Sequence, residues 1–384
     1  MNFNFSAPQQ IIFGNGRIGD LTFIMRDIGD RAFIVRYHSG SGFPALVRTL
    51  EENYVKWIEF EVRQEPNLAL VTDAVAVAQK YECNFVVSIG GGSVIDTGKI
   101  VSVMQTNHGS IMDYLEVVGK GKTLENPAIP HIAIPTTAGT GTEVTRNAVL
   151  DIPEKKTKVS MRSDYLFPKI ACVDPELTIS VPPTTTAFSG MDAFSQVIEP
   201  FVSKRKNYLT DMFCRDGIRL ASDYLIRAYH DGEDRVSRTM MSGVSLLGGL
   251  CLTNSGLGAI HGFAGPIGGM FHIPHGAICA SLLPSVMEMN INALRRRDSI
   301  NETVNSYKEI IQIVTKNPDS TIEEGIEWFK ELNLKLQIPS LAGLGINKKD
   351  FSEIIERAVQ SNSMKTNPIQ LTRDELWQIL ELSN

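Results

Sequence analysis

The chain has 384 residues, of which 43% are hydrophobic and 21% charged, the make-up of a globular protein with apolar residues enough for two or three domains. Its 37 basic and 43 acidic residues give a formal charge of −6. A mildly acidic balance carries no electrostatic footprint for nucleic acid or anionic lipid, so neither is expected as a partner.

The opening segment, MNFNFSAPQQIIFGNG, lacks the charged and apolar regions of a signal peptide. No uninterrupted apolar run approaches the roughly 18 residues that span a bilayer. A helix-like run ends near Gly29, and residues 32–36 predict a strand of β-formers. Helical spacing follows over 46–52, a second strand over 55–62, a helix over 68–81 and a buried strand over 85–89. Glycines, another helix-like run and a strand over 131–134 come next. This alternation predicts a parallel sheet with helices on both faces. The pattern changes around Val181-Pro182-Pro183. Beyond it, 211–229, 235–252, 303–316 and 322–332 read as amphipathic helices, and Thr372-Arg373-Asp374-Glu375 opens a capped one. The expected organisation is an α/β dinucleotide-binding domain over 1–184 and an all-helical metal and substrate domain over 185–384. Arg295-Arg296-Arg297 reads as a solvated helix end or loop. Cys83, Cys172, Cys214, Cys251 and Cys279 are scattered among apolar neighbours with no CxxC, which predicts buried, reduced thiols and a cytoplasmic protein.

Two loops carry chemistry in the first half. In the first, the strand ending at Ile89 runs into Gly90, Gly91 and Gly92, then into a helix through Ser93, Asp96 and Lys99. Glycines admit close backbone approach, and a helix N-terminus offers free N–H groups to a phosphate. Ser93 stands where an N-cap or phosphate donor belongs. The alternative is a tight strand–helix turn without a ligand. In the second, Thr136, Thr137, Thr140 and Thr145 lie in a Thr/Gly loop after the strand at 131–134. It is suited to a ribose or a nicotinamide amide, or is an ordinary loop. Ligands of parallel sheets gather at the carboxyl ends of strands, where both loops fall.

In the second half, Asp192 and Gln196 are four apart on a helix beginning in 189–199, with Glu199 on a similar face. His261, His272 and His275 lie within fifteen residues among glycines. One carboxylate and two histidines suit Zn²⁺ or Fe²⁺. Core histidines bonded to backbone carbonyls are the alternative.

Gly90-Gly91-Gly92-Ser93-Val94-Ile95-Asp96, Pro135 to Thr145, Val173-Asp174-Pro175-Glu176, Gly190-Met191-Asp192-Ala193 and Pro274-His275-Gly276 together resemble the iron-containing (group III, metal-dependent) alcohol dehydrogenases. They stand in that family's order and spacing over nearly the whole chain. The resemblance implies an N-terminal dinucleotide-binding domain, a helical C-terminal domain and an active site in the cleft between them. It also implies that the glycine loop holds a cofactor pyrophosphate, that the Thr/Gly loop contacts ribose and nicotinamide, and that Lys158 lies near the phosphates. The family metal is held by an aspartate and three histidines. Asp192, His261 and His275 match three positions, and Gln196 stands at the fourth. A further cleft histidine of the family is Gly265 here.

The expected activity is reversible NAD(P)-dependent, metal-assisted hydride transfer between an alcohol and its aldehyde or ketone, in a homo-oligomer, a dimer. Gln196 is expected as a weak fourth ligand or a hydrogen-bond donor to a metal-bound water, at a site of weakly held metal, and His272, or water in the space at Gly265, as the replacement proton relay. The turn Arg36-Tyr37-His38-Ser39-Gly40 has no acidic residue, and none follows until Glu51. NADP(H) is therefore expected to be accepted or preferred, with Arg36 or His38 near its 2′-phosphate, and Tyr37 is also expected to bind cofactor. Two other readings are a metal-free member with altered or lost catalysis and a dehydroquinate synthase-like lyase. The lyase needs basic residues for an anionic substrate, and no Lys/Arg cluster flanks Asp192, His261 or His275.

Overall fold

The structure, a computed structural model, describes residues 2–38, 40, 42–298, 300 and 302–384. Ser39 of the turn discussed above lies outside the described residues. The chain divides into two compact units, Ser6–Val181 and Pro182–Asn384, the second joined by residues 2–5. The expected division at 184/185 falls slightly late, because Pro182 already caps a helix that opens on Pro183, the position a ring with no N–H tolerates best. Phe5 packs edge-on against Phe213 of the helical unit, with centroids 6.0 Å apart.

In the first unit the elements run β1 (Gln10–Phe13), β2 (Arg31–Arg36), α1 (Phe43–Glu52), β3 (Lys56–Glu61), α2 (Leu68–Lys80), β4 (Phe85–Gly90), α3 (Gly92–Met104), α4 (Ile111–Tyr114), β5 (His131–Pro135), β6 (Asn147–Ile152), β7 (Thr157–Arg162) and β8 (Ile170–Val173). Six strands form one sheet in the order β1-β8-β5-β4-β2-β3, every pair parallel, while β6 and β7 form an antiparallel hairpin. Along β2, Phe33 and Val35 join the core under α2 and α3, and Ala32 and Ile34 join the core under α1. Burial on both faces is why the strands read as apolar runs. The segment expected to be helical before Gly29 forms two short 3₁₀ turns, Arg17–Phe23 and Met25–Asp27. The Asp174 carboxylate accepts the N–H groups of Gly16 (3.0 Å) and Ile18 (3.1 Å) and so fixes a tight entry to this segment. The chain leaves β2 through α1 toward one sheet edge and leaves β4 through α3 toward the other. The strand order therefore reverses between β2 and β4, the place where open α/β sheets bind ligands.

The second unit holds α5 (Pro183–Val202), α6 (Tyr208–His230), α7 (Arg235–Ser255), α8 (Ala259–Phe271), α9 (His275–Arg297), α10 (Thr303–Thr315), α11 (Ile322–Lys335), α12 (Phe351–Val359), α13 (Asn362–Lys365) and α14 (Arg373–Leu382). Helix α5 packs against α6, α7 and α9, and α9 also against α8, α11 and α14. By length and composition α9 could cross a membrane, yet 89% of its most apolar window is buried within the protein. The Arg295-Arg296-Arg297 cluster ends α9, and Arg296 and Arg297 bond Glu375 at 3.2 and 2.8 Å.

Candidate metal and cofactor sites

The glycine loop sits at the carboxyl end of β4, beside the switch point. Gly91 caps α3, which begins at Gly92. The expected N-cap, Ser93, is therefore the second helical residue. Its hydroxyl is in the first turn, and the N–H groups of Gly92 and Ser93 have no partner within the helix. The two loops abut, because Gly90 pairs with Pro135 and accepts the Thr136 N–H at 3.0 Å. A Cβ at Gly91 would lie 3.5 Å from Thr137 Oγ1, and one at Gly92 would lie 3.1 Å from Thr140. Thr136 and Thr137 are half-buried and Thr140 is exposed, so these three hydroxyls line a narrow cradle over free N–H groups. That cradle fits a dinucleotide phosphate.

Asp96 and Thr145 stand behind the cradle. Lys99 is fully buried and donates to Thr142 Oγ1 (2.9 Å), Thr145 Oγ1 (2.8 Å) and the Asn147 carbonyl (2.7 Å). Asp96 accepts from Thr142 Oγ1 (2.6 Å) and the Val149 N–H (3.0 Å), 3.6 Å from the ammonium. Burial pulls the Lys99 ammonium down to about 8, against the pull of Asp96 and Glu143. This network, invisible in the motif, clamps the Thr/Gly loop to α3. Lys158 lies on β7 with its ammonium paired to Glu65. Tyr37, at the end of β2, is partly exposed and packs edge-on to His38. Arg36, expected beside a 2′-phosphate, donates to Glu59 at 2.8 Å and lies 3.5 Å from Glu61, both on β3. Its charge is already matched. The turn itself holds no acidic residue, and these two reach Arg36 from the neighbouring strand.

The second site joins three helices. Asp192 and Gln196 lie in the middle of α5, not at its start, since the helix begins at Pro183. His261 is in the first turn of α8, and His275 opens α9. Their side chains meet. His261 Nε2 is 3.2 Å from Asp192 Oδ1, His275 Nε2 is 3.8 Å from the same oxygen, and the two rings are 5.3 Å apart. Cys279, one turn along α9 from His275, joins them with Sγ 3.9 Å from His261 Nε2. One ligand atom from each of Asp192, His261, His275 and Cys279 lies within 4.8 Å of every other. Cys279 went unnoticed in sequence because a lone cysteine in an apolar helix reads as core; its spacing from His275 was the available signal.

Glu199, also on α5, orients the cluster. Its Oε2 receives His261 Nδ1–H at 2.6 Å and its Oε1 receives the Ile260 N–H at 2.7 Å. With one ring proton committed to Glu199, the other nitrogen faces the Asp192 oxygen. Two lone pairs so placed need a proton or a metal ion between them. Burial pushes the Asp192 carboxyl up, but the charge of His275 and hydrogen bonds from His261 and Gln196 hold it below its ordinary range. Burial alone would discharge His261, yet Cys279, Asp192 and Glu199 hold it well above its ordinary value. Burial raises the Cys279 thiol and the two histidines lower it further than that. The cluster is thus a compensated set of anionic and imidazole donors, and it fits a divalent cation. Gln196 is buried with its amide donating to Asp192. His272 stands outside the cluster, exposed at the C-cap of α8 with φ 54°.

The family model for iron-containing alcohol dehydrogenase matches residues 8–175, and that for the C-terminal domain of the same family matches 186–383. The chain belongs to the iron-containing alcohol dehydrogenases. It is 34% identical to alcohol dehydrogenase 4 of Saccharomyces cerevisiae over 98% of this chain and 97% of that one. It is 30% identical to the NAD-dependent methanol dehydrogenase of Bacillus methanolicus over 98% and 99%. A crystal structure of 1,3-propanediol oxidoreductase superposes with a TM-score of 0.92 at 29% identity, covering 100% of both chains. This iron-containing alcohol dehydrogenase is accordingly an oxidoreductase with the family's parallel-sheet and helical architecture.

Proposed function

We propose that the protein interconverts an alcohol and its aldehyde or ketone using NAD(H) and a divalent metal. The observation that carries this reading is the convergence of buried Asp192 and His261 with half-buried His275 from three helices, with Glu199 fixing the His261 ring. When bound, the nicotinamide supplies the hydride acceptor and the metal supplies Lewis acidity toward the alcohol oxygen. The chain's own part is positional. The N–H groups at Gly92 and Ser93 hold the pyrophosphate, and Thr136, Thr137 and Thr140 bond the ribose and amide. Asp96, Lys99, Thr142 and Thr145 keep that loop rigid. Asp192, His261 and His275 hold the ion, and Gln196 orients Asp192. His272, exposed and close in sequence to His275, exchanges the alcohol proton with solvent; an unchanged kcat–pH profile in His272→Ala would assign it to capping alone.

NAD(H) is the preferred cofactor. A 2′-phosphate near β2 would have to displace Glu59 and Glu61 from Arg36 and would meet their charge. The expected kcat/KM ratio favours NAD⁺ over NADP⁺ by more than about tenfold, or roughly 1.4 kcal/mol. Parity in the wild type would show that Arg36 changes partner. A panel of alcohols and aldehydes, run with both cofactors and with Zn²⁺, Fe²⁺ or chelator, tests the whole reading. Turnover in a demonstrably metal-free sample would refute the metal's part, and cofactor binding without any turnover would favour a member with lost catalysis. The sheet leaves β1 and β3 as edges, and edges of this kind support pairing into a homodimer. Five free, buried thiols support a reducing, cytoplasmic setting.

A further inference from the structure

We propose that Cys279 is a metal ligand, its thiolate completing an Asp192–His261–His275–Cys279 set that favours Zn²⁺. This rests on the metal reading above and concerns which atom takes the fourth place.

Three observations converge. The first is distance. A tetrahedral ion with bonds of about 2.0–2.3 Å places its ligand atoms about 3.3–3.7 Å apart. Asp192 Oδ1 to His261 Nε2 is 3.2 Å, Asp192 Oδ1 to His275 Nε2 is 3.8 Å, and Cys279 Sγ to His261 Nε2 is 3.9 Å. The remaining pairs lie within 4.8 Å, so side-chain movements of about 1 Å close the set around one ion. The second is the company the sulfur keeps. Cys172 and Cys251 point at the backbone carbonyls of Arg17 and Thr210, the habit of inert core thiols. Cys279 points instead at an imidazole nitrogen, in a cluster with a carboxylate and a second histidine. The third is Gln196. Its amide N–H donates to Asp192, a link that orients that carboxylate. It is also held by packing, since a Cβ added at Gly248 of α7 would lie 3.0 Å from the Gln196 Cβ. The sulfur at 279 and the amide at 196 thus divide ligation and orientation between two helices. A thiolate among nitrogen and oxygen donors shifts preference from hard cations such as Mg²⁺ and Mn²⁺ toward Zn²⁺.

The test uses purified full-length protein, stripped with chelator and reloaded with Zn²⁺ or Co²⁺. X-ray absorption of the zinc form is expected to show one sulfur near ~2.3 Å beside nitrogen and oxygen near ~2.0–2.1 Å. The cobalt form is expected to show a near-ultraviolet thiolate-to-metal band that is lost in Cys279→Ser. That variant is also expected to bind Zn²⁺ more weakly by at least about tenfold, the lower end of what losing even an outer partner does. A fully loaded wild type whose shell holds only nitrogen and oxygen, and whose cobalt form lacks the band, overturns the assignment of Cys279 and leaves the metal reading standing. Failure of the wild type to take up either ion overturns both.

Discussion

Glu143 and Glu199 are both buried carboxylates, set in different surroundings. Glu143 lies in the Thr/Gly loop, where burial raises its carboxyl to about 7, against its own backbone N–H and the charge of Lys99. Below about pH 4.5 it is protonated in the folded and unfolded chain alike. Between there and pH 7 the folded protein keeps a proton that the unfolded chain releases, so this group's contribution falls as pH rises. Glu143→Gln is expected to remove that slope. Urea unfolding near pH 4 should barely distinguish variant from parent, while near pH 8 the variant should be more stable by roughly 2–3 kcal/mol. Equal stability at the higher pH would show that Lys99 compensates the charge in full. Glu199 is instead satisfied by His261 and the Ile260 N–H. Glu199→Ala frees the ring to rotate and should weaken Zn²⁺ binding by about 10–100-fold, as measured by competition with a chelating dye.

Among the elements, α9 meets α5 unusually closely. A Cβ at Gly276 would stand 2.1 Å from the Phe188 carbonyl oxygen. Only glycine lets His275, one residue earlier, reach Asp192 on α5. Gly276→Ala should therefore cost about 1–3 kcal/mol of stability. It should also lower metal affinity beyond that loss of fold, because the helix carrying two donors is pushed outward. Intact metal binding in a destabilised variant would separate the two effects. Gly98 plays the same part in the first unit, where a Cβ would lie 1.9 Å from Ser88 Oγ. Sequence reading recovers most elements because both units are built from clear periodicities. It misplaces the start of α5, since Pro183-Thr184-Thr185-Thr186 has loop composition although proline suits a first helical turn. Asp192, His261 and His275 are legible because few residue types serve a metal. Cys279, Lys99 and Glu59 are not, because their meaning depends on what a different helix or strand sets opposite them.

At the scale of the whole chain, the proposed function gives each unit its own ligand, and each ligand should protect the unit that holds it. Zn²⁺ at about 100 times its Kd adds about 2.7 kcal/mol to the state that binds it. Chelator is expected to lower Tm and Zn²⁺ to restore it. Hydrogen exchange should place the metal's protection within 182–384 and that of NAD⁺ within 6–181. Protection by Zn²⁺ confined to the first unit would move the metal site.

Helix α9 begins at His275, and Cys279 lies one turn later. Both donors therefore fall within the first five residues of a single helix, at the end that frays first. An ion held by both would not lose its contacts at random, since unwinding those five residues releases the two together. Its residence time then becomes a clock for one local event, the opening of α9 at Pro274, and the rate of metal exchange reads out the breathing of five residues in a chain of 384.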